Sequence, residues 1–232
     1  VPAHPVLHKE NLNYLRHLIM RAITEFLLEY QLGYDEPGPA KIHKAFIRPI
    51  KKEIQTDDVT IITTNYDLSV DMPFQYLFDK NKIDYGIEYR NVEEDIIHGR
   101  SKEPALKYYK LHGSLNWLQC DLCNHYYINP YGSIAHQPYR ENTDANNTCF
   151  CNHQLKLQSV LVAPSVIRDI RDSNLLQIWR AATDAIRLAD KIVFVGYSLP
   201  DEDFAIQTLI SRGINGRNNS KKPEIIVVQH GD

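Results

Sequence analysis

The chain has 232 residues, of which 43% are hydrophobic and 24% are charged, as in one globular domain with or without a small added module. Its formal net charge of −3 gives no general attraction to nucleic acid or to an anionic membrane surface. No apolar run approaches the roughly 18 residues of a spanning helix, and no signal peptide is visible, so we expect a cytoplasmic protein without a membrane partner.

The predicted elements alternate between helices and short apolar strands. Helical spacing predicts helices over 7–31, over 40–54 with a disturbance at Pro49, from the 65–67 segment to about 79, and over 174–189 and 203–211. Apolar, often β-branched runs predict strands over 59–64, 83–89, 108–111, 159–162, 192–195 and 225–228. This order indicates an α/β fold with a Rossmann-like, mostly parallel sheet and helices on both faces.

Residues 120–153 interrupt the alternation, so we predict an inserted module there, with 1–119 and 154–232 forming the main domain. The segment contains every cysteine of the chain: Cys120, Cys123, Cys149 and Cys151. Two close thiolate pairs suit one tetrahedral zinc ion, and four thiolates leave no open position, so a zinc here would be structural. Four free thiols, or ligation by His125 or His153 in place of a cysteine, are the alternatives.

Polar loops follow three of the predicted strands, where open α/β sheets bind ligands. His112 comes between an apolar strand and Gly113, which would let a ligand approach the backbone. Asn65 and Asp67 follow another strand and should open on the same sheet edge. An imidazole can act as a general base near neutral pH, and an amide can orient a water molecule. The alternative is that Asn65 and Asp67 only cap the following helix, and that His112 is structural.

The third loop, 196–200, has a glycine directly after a strand and a hydroxyl at Ser198, which could receive a phosphate or a ribose. The acidic run 201–203 fits the start of a helix better than a metal site. Neither G-x-G-x-x-G nor a P-loop motif occurs in the sequence, which argues against a self-contained dehydrogenase or P-loop enzyme.

Taken in chain order, these motifs resemble the sirtuin superfamily. Residues 63–67 (TTNYD) resemble its T-Q-N-x-D loop, and 110–114 (KLHGS) resemble its catalytic histidine segment. The cysteine pairs follow that histidine, as the sirtuin zinc ribbon does. Residues 192–199 resemble the G-T-S-L strand, and 225–229 resemble the next strand, which meets the cofactor.

The finer resemblance is to the bacterial sirtuin-like branch, many of whose members are NAD⁺ hydrolases in antiphage defence. The stretch 161–165 (LVAPS), a helix with Trp179 and the stretch 196–204 are similar to that branch. Protein-deacylating sirtuins carry F-G-E after the proline strand, whereas this chain has Val-Ile-Arg at 166–168. The cysteine-rich ribbon instead favours a protein deacylase, because many hydrolase members lack such a ribbon.

The resemblance implies NAD⁺ as substrate and a role for each matching residue. His112 would be the base acting on the nicotinamide ribose, Asn65 its partner at the ribose and water, and Asp67 would face the carboxamide. The cofactor-binding set that it implies comprises Thr63, Thr64, Asp67, Gly113, Gly196, Ser198, Leu199, Val228 and Gln229.

One departure concerns the phosphates of NAD⁺. Family members begin with a strand and a G-A-G-x-S loop, which this sequence lacks. We therefore expect the 232-residue chain to bind NAD⁺ weakly and to leave an exposed sheet edge that favours a homo-oligomer or contact with other domains.

The function that the resemblance implies is NAD⁺ glycohydrolysis. The alternatives are an NAD-dependent protein deacylase and a catalytically silent module that binds NAD⁺ or ADP-ribose or serves in assembly. A nucleic-acid-binding ribbon is disfavoured, because residues 119–153 contain a single basic side chain, Arg140.

Overall fold

The computed structural model describes residues 9–32, 47, 49–53, 58–71, 73–74, 83–92, 96–100, 106–130, 132–139, 148–162, 172–201, 203–217 and 222–229. The helices with complete bounds are α1 (Lys9–Leu32), α2 (Ser173–Leu188), α3 (Phe204–Asn215) and a 3₁₀ turn at Gln137–Tyr139. The strands are β1 (Thr60–Thr63), β2 (Ile83–Asp84), β3 (Tyr89–Asn91), β4 (Ile96–His98), β5 (Leu106–Lys110), β6 (Gly113–Gln119), β7 (Tyr126–Ile128), β8 (Thr148–Cys149), β9 (Asn152–Lys156), β10 (Gln158–Leu161), β11 (Lys191–Val195) and β12 (Glu224–Val228).

The α/β class predicted from the sequence is confirmed, with two parallel sheet segments. In the first, the strand order is β1-β5-β2 and every ladder is parallel. In the second, β11 pairs with β12, also in parallel. The predicted helices 174–189 and 203–211 correspond to α2 and α3, which pack against each other. Helical residues also occur at 47, 49–53, 71 and 73–74, and the rest of the predicted helix 40–54 lies outside the described residues. The helix predicted from the 65–67 segment to about 79 starts later, because residues 67–70 form bends and turns and the helical residues begin at Asp71.

A five-stranded mixed sheet, in the order β10-β6-β7-β3-β4, was not predicted from the sequence. The predicted strand 83–89 is divided, because the chain turns at Gly86 with a φ of +85° and passes from β2 into β3 of the other sheet. The polar loop predicted after the strand 108–111 is short, because the chain enters β6 already at Gly113, and the side chains of β6 are almost all buried. Buried Ser114 and Asn116 interrupt its apolar pattern, and they satisfy each other by a 2.6 Å hydrogen bond.

One large hydrophobic cluster joins these layers. It contains buried side chains from β2, β5, β6, β7, α2 and α3, among them Ile83, Tyr108, Trp117, Tyr126, Ile178, Ala182, Ile206 and Leu209. Burial of each large apolar side chain stabilises the fold by roughly 1.5–3 kcal/mol. A smaller cluster of Leu68, Leu115 and Ala135 lies beneath the loop that follows β1, and Leu27 of α1 packs against it.

Apolar side chains remain exposed on β11 and β12. Val193, Val195, Ile225 and Val227 are each about half exposed, at 48% to 58%. These side chains lie on the faces of the two strands, and the exposed sheet edge expected from the sequence stays a prediction. Among the helices that the structure describes, none combines the length and the hydropathy needed to cross a bilayer.

Candidate active site

The loop after β1 is joined to the turn between β5 and β6. The backbone N–H of Leu111 donates to the carbonyl oxygen of Thr63 at 2.9 Å, and that of Leu115 donates to Tyr66 at 3.0 Å. These bonds continue the parallel β1–β5 ladder past the ends of both strands. As a result, the segments containing Asn65 and His112, which the sequence predicted to share a sheet edge, lie side by side.

His112 is buried, with 4% of its surface exposed. Its Nδ1 lies 3.0 Å from the carbonyl oxygen of Thr64. A carbonyl oxygen only accepts hydrogen bonds, so Nδ1 must carry the proton of the neutral ring and Nε2 is left as the acceptor. The backbone therefore fixes one nitrogen of the imidazole, and Nε2 is the basic nitrogen of the neutral ring.

Three neighbouring groups enclose His112. The ring of Tyr66 lies 6.1 Å and that of Trp179 lies 6.3 Å from the imidazole, between ring centroids. Trp179 donates through Nε1 to the Leu111 carbonyl oxygen at 2.8 Å. The Tyr66 hydroxyl donates to the carbonyl oxygen of Val162, whose own N–H donates to His112 at 2.9 Å. Helix α2 and the end of β10 thus position the histidine through its backbone.

Asn65 and Asp67 differ in what they contact. Asn65 is exposed, and its N–H donates to the hydroxyl of Thr63 at 3.1 Å. The Asp67 carboxylate accepts the N–H of Ser69 at 2.8 Å, so one of its oxygens stabilises the turn before the helical segment. This bond lies before the helical residues, which begin at Asp71, so capping of that helix by Asp67 and contact of Asp67 with a carboxamide both stay predictions.

Close approach of the β10 backbone requires a glycine at position 113. Its φ is +83°, and a Cβ built there would lie 1.9 Å from the carbonyl oxygen of Val160 in β10. The space that the sequence analysis reserved for a ligand beside this glycine is therefore filled by backbone. Ligand contact by Gly113 stays a prediction, whereas its part in joining β6 to β10 is structural.

Replacing Gly113 with alanine should lower the free energy of unfolding by at least about 2 kcal/mol, because the change adds both a clash and a left-handed strain. Urea denaturation measures this change. Gly99→Ala is the matched control, since no atom lies within 4 Å of the added Cβ. Equal stability of the two variants would contradict the packing described here.

The predicted residues of the third loop form a second group around the end of β11. Gly196 has a φ of +62° with open space beside it, and its N–H donates to the Val228 carbonyl oxygen at 3.0 Å. Leu199 also adopts a positive φ, 51°, which is strained for this residue. The side chains of Ser198, Leu199 and Gln229 are exposed. Asp203 precedes α3, and its carboxylate accepts from the Tyr197 hydroxyl at 2.6 Å.

Sequence reasoning missed several residues that shape the first group. Tyr66 and Trp179 contact His112 from distant parts of the chain, and no local pattern indicates that they should. Lys110 is fully buried, and it had a signal in the sequence: it is a charged residue within the otherwise apolar run Tyr-Tyr-Lys-Leu. A buried charged side chain almost always has a partner, so a lysine at this position indicates a buried ion pair.

The four cysteines form a third group that fits a metal ion. All four Sγ atoms lie within 4.8 Å of one another. The Cys120–Cys151 and Cys123–Cys149 Sγ distances are 3.6 and 3.4 Å, close to the separation of about 3.8 Å that two thiolates have around a tetrahedral zinc with Zn–S bonds of about 2.3 Å. The cluster is made of thiols alone, without His125; the side chain of His153 lies outside the described residues.

The environment of this cluster favours thiolate at one sulfur. Burial opposes ionisation of Cys149, but hydrogen bonds from the Tyr127 hydroxyl and the Cys151 N–H outweigh it and lower the pKa of the Cys149 thiol to about 6. The hydrogen bond with Cys149 in turn raises the pKa of the Cys151 thiol. A bound cation would instead stabilise the thiolate form of all four cysteines.

Comparison with known proteins gives a family and a set of distant structural neighbours. The sequence profile of the SIR2-like domain matches residues 59–232, and no curated protein matches the chain. Solved structures of a Sir2 homologue with ADP-ribose are similar at 14–15% identity: a serine-to-alanine mutant (TM-score 0.48), a phenylalanine-to-alanine mutant (0.49) and a histidine-to-asparagine mutant (0.48). These alignments cover 95%, 97% and 95% of this chain and 65%, 68% and 65% of those chains, so the chain spans less than two thirds of the first of them. Because the profile match extends over well over half of its residues, the chain belongs to the SIR2-like domain family.

Proposed function

We propose that this SIR2-like domain consumes NAD⁺ as a glycohydrolase, releasing nicotinamide and ADP-ribose. The observation that carries the proposal is the His112 imidazole, anchored through Nδ1 to the Thr64 carbonyl oxygen and set beside the Asn65 loop at the strand ends. This arrangement suits a base that must approach one hydroxyl of a sugar from a fixed direction. In the proposal, the domain acts in the cytoplasm and serves antiphage defence, as its resemblance to the bacterial branch implies.

The chemistry requires cleavage of one bond and addition of one water molecule. The bond between the ribose anomeric carbon and the nicotinamide nitrogen breaks, and its electron pair leaves with neutral nicotinamide. The anomeric carbon develops oxocarbenium character, which fixed polar groups stabilise. Water then adds to that carbon and loses a proton. In the proposal, His112 Nε2 accepts the proton of a ribose hydroxyl during cleavage and afterwards returns it to the same hydroxyl, while Asn65 orients the water, whose proton is the one released to solvent.

The second group of residues would receive the rest of NAD⁺. Gly196 offers open space at the carboxyl end of β11, and Ser198 offers an exposed hydroxyl. We assign Gly196, Ser198, Leu199, Val228 and Gln229 to the ribose and phosphate part of the substrate. Thr63, Thr64, Asp67 and Gly113 remain assigned to the nicotinamide end.

Zinc has a structural role in this proposal. Cys120, Cys123, Cys149 and Cys151 would hold one ion, which joins the turn after β6 to the β8–β9 hairpin. Bound zinc would cross-link the two ends of this segment. No step of NAD⁺ cleavage involves this site. We keep 120–153 as the proposed extent of the module.

An NAD-dependent deacylase is the second candidate, and the four-cysteine ribbon favours it. Against it stands the Val-Ile-Arg sequence at 166–168, in place of the F-G-E of protein-deacylating sirtuins. A silent module that binds NAD⁺ or ADP-ribose would have the same fold and would bind ligand without releasing nicotinamide.

Replacing Asn65 with alanine should reduce nicotinamide release by about 10²-fold or more, because the water loses a positioned partner. The exposed Asn65 side chain makes the change tolerable for folding, so the melting temperature should stay close to that of the wild type. Asn215→Ala, at the exposed C-terminal end of α3, is the matched control. Turnover by Asn65→Ala at the wild-type rate would remove Asn65 from the proposed reaction.

A further inference from the structure

A fully buried ion pair lies directly behind the proposed active site. Lys110 is the last residue of β5, two residues before His112, and its Nζ lies 2.8 Å from Oδ2 of Asp71. The side-chain exposures are 0% for the lysine and 1% for the aspartate. Removing two charges from water costs several kcal/mol per ion, so a pair in this position requires an explanation beyond mutual attraction.

The ammonium group also holds the loop that contains Asn65. Lys110 Nζ donates to the backbone carbonyl oxygen of Asp67 at 2.7 Å. The Tyr108 hydroxyl, on the same face of β5, donates to the Asp71 carboxylate at 3.2 Å. The Lys110 Nζ lies 5.6 Å from the Tyr108 ring centroid, within cation–π range. One lysine therefore connects the strand before His112 to the loop after Asn65 and to the helical segment that follows.

Stability alone is a poor explanation for this cluster. Burial raises the pKa of the Asp71 carboxyl, and the positive charge of Lys110 acts in the opposite direction. A well-packed apolar pair of similar volume is often as stable as a buried ion pair, or more stable. An apolar pair could not, however, donate a hydrogen bond to the Asp67 carbonyl oxygen, and so it could not fix the loop relative to β5.

We propose that Lys110 and Asp71 are positioning residues for NAD⁺ cleavage, which set the spacing between the Asn65–Asp67 loop and His112. Asp71 orients the ammonium group, and Lys110 fixes the loop through the Asp67 carbonyl oxygen. This inference deepens the proposed function and rests on it. It assigns neither residue a contact with substrate.

The test separates positioning from stability by replacing both charges together. The Lys110→Met/Asp71→Leu double variant removes both buried charges and leaves apolar side chains, so it should remain folded and lose less melting temperature than Lys110→Met alone. Its kcat for NAD⁺ should nevertheless fall at least about tenfold, because displacement of a reacting group by about 1 Å can cost 10²-fold in rate. KM should change less than kcat. Lys110→Met alone leaves Asp71 buried without its cation, so it should lower the melting temperature as well.

A second ion pair that also involves β5 supplies the matched control. Lys107, at the other end of β5, contacts Asp58 just before β1 at 2.7 Å, and the aspartate is largely exposed. The Lys107→Met/Asp58→Leu double variant should retain the wild-type kcat. If the buried apolar pair does not fold, Lys110→Gln/Asp71→Asn takes its place. Gln is shorter than Lys and cannot make both bonds of the Lys110 ammonium group, so the same loss of kcat is expected.

The outcomes are distinguishable. A folded buried-pair variant with the wild-type kcat would overturn the positioning role and leave the proposed function intact. A wild-type protein that releases no nicotinamide from NAD⁺ would overturn the proposed function and this inference with it. Loss of kcat in the buried-pair variant, with the fold retained and the control unaffected, supports the inference.

Discussion

Replacing His112 with alanine should lower the rate of NAD⁺ cleavage by about 10²–10⁴-fold, which is the usual contribution of a positioned general base. The structure gives the reason for expecting the upper part of this range. The imidazole is buried and anchored at Nδ1, so no other side chain can take its place without moving the backbone. Nicotinamide release from purified protein, followed by chromatography, measures the effect.

The His112→Ala protein should remain folded. Truncation leaves the Thr64 carbonyl oxygen without its imidazole donor, at a cost of about 1–3 kcal/mol, which is smaller than the stability of an ordinary domain. His17→Ala is the matched control, because His17 lies on α1 and contacts the ring of Tyr139, away from the proposed site. If His112→Ala cleaves NAD⁺ at a rate near that of the wild type, His112 is not the base.

Loss of zinc should be the largest effect on stability. Structural zinc in small modules contributes an apparent binding free energy of about 10–16 kcal/mol. We expect about one zinc per protein, and we expect Cys120→Ser to lose it. Because about 1 kcal/mol corresponds to 2–4 °C in a chain of this size, the melting temperature should fall by roughly 20 °C or more. Metal analysis and thermal unfolding give the two readouts.

Leu122→Ser is the matched control for the metal site. Leu122 lies in the same turn between Cys120 and Cys123, it is 68% exposed, and it offers no ligand atom. This variant should keep its zinc and its melting temperature. A wild-type protein without bound metal, or with a disulfide among the four cysteines, would refute the structural zinc site.

The sequence was sufficient for those parts of the fold that depend on local pattern. Helices α2 and α3 and strands β1, β11 and β12 begin and end within a few residues of the predicted bounds, because apolar spacing and chain breaks determine them locally. The cysteine spacing likewise predicted a thiol cluster that the structure brings together. In each case the deciding signal lies within a short stretch of chain.

The sequence was insufficient where distant segments decide the outcome. Strand β6 contains Ser114 and Asn116 at buried positions, so its local pattern resembles a loop, and only its pairing with β7 and β10 makes it a strand. Gly113 was interpreted as room for a ligand, whereas the backbone of Val160 occupies that space. The contact between Lys110 and Asp71 joins a strand to a helical segment 39 residues away, and no local rule anticipates it.

The central claim is that the domain hydrolyses NAD⁺ at the joined loops of Asn65 and His112 without a protein substrate. The most direct test is the rate of nicotinamide release from NAD⁺ by the purified protein, measured with and without an acetylated peptide. The account predicts equal rates in both conditions, with ADP-ribose as the second product and release by His112→Ala lower by about 10²–10⁴-fold. Release that requires the peptide, or binding of NAD⁺ without any release, would contradict it.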